Sequence, residues 1–118
     1  MGNYKVIEFE NSIGLASRDA MAIIKSNIST KIDELILLEE YDNITGHWGI
    51  KYSLKNVIIF IQSDYGDLNV FLYHNEIETT LKAIDELMEN VIVASKKNIE
   101  YMLSSLNKVV KTIQFLSM

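Results

Sequence analysis

Between residues 47 and 74 the chain spells three strands in a row, and this stretch limits the fold more than any other. In HWGIKYSL, residues 47–54, Trp48, Ile50, Tyr52 and Leu54 alternate with His47, Gly49, Lys51 and Ser53. A period of two sends alternate side chains to opposite sides of a strand, so one side faces a core. Lys55-Asn56 offers a two-residue turn, because Asn tolerates positive φ. The following run, 56–62 (NVIIFIQ), is apolar on both faces, which places it inside a sheet. Ser63 to Asp67 form a glycine turn and 68–74 returns as a third strand. Short turns between successive strands make an antiparallel meander.

The flanks supply the other layer. YKVIEF, residues 4–9, is rich in β-branched and aromatic residues and reads as an N-terminal strand joining the sheet edge. A loop at 11–16 leads to Ser17, a suitable N-cap, and Ala20, Met21, Ile23, Ile24 and Ile28 draw a helical stripe over 17–28. STKIDELILLEEYDN, residues 29–43, admits two readings: LILL between charged flanks fits a buried strand, while the Thr30/Asp33 spacing and the period of Ile32, Leu35, Ile36 and Glu39 fit a second helix or a continuation of the first, the reading adopted. After Gly66 there is neither Gly nor Pro. Ile77, Leu81, Ile84, Met88 and Val91 draw one helical seam, and Ile99, Met102, Leu106, Val109, Ile113 and Leu116 a second. The β-branched run Val91-Ile92-Val93 separates them, so the helical region 76–116 is expected to break near 92–97, with Ser95 capping the final helix. A single α+β domain over 1–118 follows, with helices packed on a central meander.

Composition narrows the function. Sixteen acids against eleven bases give a net charge of −5, the wrong sign for a general nucleic-acid binder, which displays a basic face. The chain contains no cysteine, which removes disulfides, thiolate metal sites and thiol nucleophiles. No apolar run approaches the ~18 residues a membrane helix needs, and the N-terminus lacks a signal-peptide pattern. A cytoplasmic protein with no membrane association and no cofactor is the expectation.

The candidate sites are few. Arg18, the only arginine, follows a strand–loop–helix junction at 11–19, where Gly14 amides, Ser17 and Arg18 would hold a small anionic ligand or nucleotide. One glycine, with no Walker lysine and no GxGxxG spacing, makes punctuation the preferred reading there. His47, His74 and Glu76 have a metal-binding donor set without the spacing of any zinc motif, so no metal is expected. The acidic doublets point about 100° apart on a helix and read as solvated faces. Tyrosine and tryptophan are more numerous than a core of this size needs. Trp48, Tyr52, Tyr73, Tyr101 and Phe115 are therefore the expected contact residues of a non-catalytic interaction or regulatory module, bound to another protein or to itself as a homodimer. The wide apolar face of the last helix, with Leu103, Val110 and Phe115 beside its main stripe, points to the homodimer.

Overall fold

A computed structural model describes residues 7–43 and 46–116, with side chains described through residue 113. The order is α1 (Ser17–Lys31), β1 (Ile36–Asn43), β2 (His47–Leu54), β3 (Val57–Asp64), β4 (Asn69–His74), β5 (Ile77–Thr80), a single helical turn α2 (Leu81–Ile84), a 3-10 turn (Glu86–Asn90) and α3 (Lys96–Leu116). The five strands form one antiparallel sheet in the order β1-β2-β3-β4-β5, an uninterrupted meander. The α+β architecture read from the sequence is the one observed.

The turns use left-handed backbone where the hairpins require it. Asn75 and Glu76 both take positive φ, 51° and 66°, closing β4 onto β5. This pair of left-handed residues suits the right-handed twist of the flanking strands. At the β2–β3 turn Lys55 carries the positive φ rather than Asn56, and Tyr65-Gly66 carries it between β3 and β4.

Trp48, Ile50, Tyr52 and Leu54 of β2, Val57, Ile59 and Ile61 of β3, and Val70 and Leu72 of β4 all point to one side and are buried. Against them pack Ala20, Met21, Ile24 and Ile28 of α1 and Ile99, Met102, Leu103, Leu106, Val109 and Val110 of α3. The two helices therefore share one face of the sheet and pack against each other. Of the residues that widen the apolar face of the last helix, Leu103 and Val110 are thus buried within the chain.

Several elements differ from the sequence reading. Of residues 29–43, the first three continue α1 to Lys31, but 36–43 form a strand, not a helix. Every residue of β1 is exposed, since the strand lies at the sheet edge, and the alternation that betrays a buried strand face is missing. The helical region begins late: Ile77–Thr80 is the other edge strand, and Thr80 then caps α2 by accepting from the Ala83 amide at 3.2 Å. Of the expected N-terminal strand, residues 4–6 lie outside the described residues and 7–10 are coil, bound to the start of α3 instead of the sheet. The break near 92–97 is present, and Ser95 caps α3 by accepting from the Asn98 amide at 3.2 Å. Among the described residues, no helix is long and apolar enough to cross a membrane.

Candidate interaction surface

The opposite side of the sheet has no described element over it. Its side chains follow from the strand register. One row runs Ile36, Ser53, Ile58, Tyr73 and Glu78, and the next Glu39, Lys51, Phe60, Phe71 and Thr80. A third runs Tyr41, Gly49, Gln62 and Asn69, with His47 and Asp64 beyond it. Phe60 and Phe71 face each other across β3 and β4 with ring centroids 6.1 Å apart, and the Lys51 ammonium sits 5.2 Å from the Phe60 centroid. The outward side of an open antiparallel sheet is ordinarily polar. Here its centre is Ile58, Phe60, Phe71 and Tyr73, all half-buried by one another, with Tyr41 and Ile36 exposed at the β1 end.

Gly49 is what lets the aromatic side lie flat. A Cβ on it would stand 2.6 Å from Cε1 of Tyr41 and 2.8 Å from Cε1 of Phe60. Gly49→Ala is expected to cost about 1–2 kcal/mol by pushing these rings aside. Tyr41 is at the rim and can swing away, so the same change in a Tyr41→Ala background should cost less. Urea midpoints of the two pairs measure this, and equal costs would show that Tyr41 does not lie on Gly49.

The contact residues expected from the sequence fall in four places. Trp48 (2% exposed) and Tyr52 (6%) belong to the helix-covered side and are core residues. Tyr73 is on the open face, where its hydroxyl donates to Glu78 at 3.3 Å. Phe115 falls in the last turn of α3, outside the residues whose side chains are described. Tyr101 is an internal strut: its ring meets Phe9 edge-on at 5.1 Å and its hydroxyl donates to Asp85 Oδ2 at 2.6 Å, beside Ser105 Oγ at the same distance. The open-face residues Ile58, Phe60 and Phe71 are not among those expected, although VIIFIQ, apolar on both sides, signals the first two.

The Asp85–Tyr101 pair implies a pH profile. Burial, reinforced by the neighbouring carboxylate, pushes the Tyr101 phenol up to about 12. Burial opposes ionisation of Asp85, but hydrogen bonds from Ser105, Tyr101 and the Leu87 amide outweigh it and hold the carboxyl below its ordinary 3.8. A raised phenol pKa stabilises the fold below the unfolded value of 10.0 and loses that contribution as pH rises towards 12. A depressed carboxyl stabilises above 3.8 and loses it as pH falls through the folded value. Stability is expected to fall on both limbs. Tyr101→Phe should shrink the alkaline one without abolishing it, since burial and the nearby Glu40 also push Tyr52 up to about 12. Melting curves across pH test this, and an alkaline limb unchanged in Tyr101→Phe would contradict it.

The 11–19 loop is occupied by the protein itself. The Leu15 amide donates to Ala94 O at 2.9 Å, and the Ala94 amide to Gly66 O at 3.1 Å. Gly14 is in this crossing, where a Cβ would lie 3.4 Å from that of Val93. Ala16, not Ser17, holds the N-cap position, without a side-chain cap, because the chain's entry into α1 is set by these backbone bonds. Arg18 is exposed and lines a groove of about 240 Å³ between α1 and β1 together with Glu40 and Asp42. Lys25 lines it too and is paired with Glu40 at 2.9 Å, so an anion placed there would meet two carboxylates alongside Arg18 and Lys25. His47 and His74 lie at opposite ends of the sheet, His47 beside Asp64 (2.8 Å) and His74 opposite Val57. Among the described residues no cluster of three metal-ligating side chains forms.

Compared with known protein families, with curated proteins and with solved structures, the chain matches none of them.

Proposed function

We propose that this protein is a small non-catalytic interaction module, of the adaptor, inhibitor or regulatory kind, acting in the cytoplasm through the open face of its sheet. The observation that supports this is the outward apolar patch of Ile58, Phe60, Phe71 and Tyr73, set on a sheet whose described helices are all committed to the other side. Aromatic side chains of this kind supply large contact area at low entropic cost. A sheet also presents them on a rigid base. Covering such a face removes apolar surface from water at roughly 25 cal/mol per Å².

A photoreactive phenylalanine analogue tests the reading. Placed at position 71 in cells, it is expected to form discrete covalent adducts with protein. Placed at Ser104, on the exposed side of α3, it should form few. Equal, background-level labelling from both positions would reject the open face as a docking surface.

A further inference from the structure

Resting on that reading, we infer that the occupant of the open face is a second copy of this chain, stacked sheet on sheet about a two-fold axis running along β3. The first argument is area. Five strands spaced about 4.8 Å apart, four to eight residues long, present roughly 500 Å² of face per copy, about 1,000 Å² for a pair. That reaches the lower bound of a specific interface, roughly 1,000–1,200 Å². It suits a reversible dimer of micromolar strength.

The second argument is charge. The whole chain carries −5, which opposes self-association in general, but the apolar centre of this face is nearly neutral. Of the charges flanking it, Lys51 and Glu39 neutralise each other at 3.0 Å, and Glu78 at the β5 edge accepts from the Tyr73 hydroxyl at 3.3 Å. In an aligned stack of the two sheets, burying Phe60 against Phe60 of the second copy requires the two-fold to pass through that residue, either across the strands or along β3. An axis across the strands stacks each strand on its own copy, so Lys51 meets Lys51 and Glu39 meets Glu39.

An axis along β3 instead lays β2 over the copy's β4 and β1 over its β5. Lys51 then meets the ring of Phe71, Glu39 meets Thr80 and Ile36 meets Glu78, by the register of the sheet. Lysine over an aromatic face is favourable, whereas like charges brought together are not. The remaining like pair, Asp64 with its copy, falls at the end of β3, where each carboxylate is already held by His47 at 2.8 Å. The axis along β3 is the self-complementary one.

Sedimentation equilibrium of the purified chain from about 5 to 500 µM tests the occupant. The expected result is a monomer–dimer equilibrium that Phe60→Glu weakens at least 100-fold while the circular dichroism stays native. Because the chain has no cysteine, single cysteines report the axis without background. Ile58→Cys on β3 should cross-link to itself through a short bismaleimide at least ten times faster than Lys51→Cys. This measurement also stands if Phe60→Glu fails to fold. A chain monomeric at 500 µM overturns the second copy, yet leaves the interaction reading intact if the analogue at position 71 still labels another protein in cells. A dimer indifferent to Phe60→Glu, or faster cross-linking through Lys51→Cys, overturns the arrangement.

Discussion

Asn98→Ala is expected to destabilise the protein by about 3 kcal/mol, far more than the loss of one small polar side chain suggests. Asn98 is fully buried at the start of α3, and its amide joins segments that are remote in sequence. Its Nδ2 donates to Glu10 O at 2.9 Å, to Val93 O at 2.8 Å and to Asn11 Oδ1 at 2.7 Å. Its Oδ1 accepts from the Glu10 amide at 3.0 Å. Asn11 in turn accepts from the Ile92 amide and donates to Asn90 O. Alanine would leave several of these groups unsatisfied in an enclosed place, at roughly 1–3 kcal/mol each where water cannot reach them. A drop of about 10–15 °C in Tm follows for a domain of this size. Asn98→Asp should be no better, since a carboxylate keeps the acceptor but faces carbonyl oxygens with no hydrogen to offer. Urea unfolding monitored through the single tryptophan, backed by hydrogen exchange over residues 7–15, measures both effects. A cost below about 1 kcal/mol would mean that the amide does not hold the N-terminal segment in place.

That network marks the limit of what the sequence disclosed. Nothing about Asn98 in a helical seam announces that residues 10, 11 and 93 converge on it, because the convergence is tertiary and its sequence separations reach 88 residues. Elements that bury one face declared themselves. β2 alternated because its inner set is buried, and the α3 seam was legible for the same reason. The edge strands did not. In β1, Leu and Glu favour helix locally, while pairing with β2 imposes the strand. β5 is four residues long, and Ile77, counted into a helical seam, is 69% exposed. Aromatic type alone points to Trp48 and Tyr52 as contact residues, whereas the alternation of β2 assigns both to the buried side. The two-sided hydrophobicity of β3 was the better guide to a binding face. It stated that both sides of the central strand want cover, and the chain's helices provide it on one.

The two sides of the sheet should therefore respond oppositely to the same kind of truncation. Trp48→Ala removes the largest fully buried side chain and leaves a cavity among α1, α3 and the sheet. The expected cost is about 3–5 kcal/mol, enough to leave a marginal domain partly unfolded near 37 °C. Phe60→Ala removes a ring that is only half-buried in the single chain, so its cost at low concentration should be about 1 kcal/mol. At high concentration the difference between wild type and Phe60→Ala should widen, because binding to the folded state alone adds stability by mass action. Trp48→Ala should show no such extra dependence once its large constant loss is subtracted. Chemical denaturation at about 5 and 500 µM separates the two behaviours. A concentration-independent Phe60→Ala would place that ring outside any self-interface, and a Trp48→Ala protein within about 1.5 kcal/mol of wild type would remove Trp48 from the core on which the whole packing argument stands.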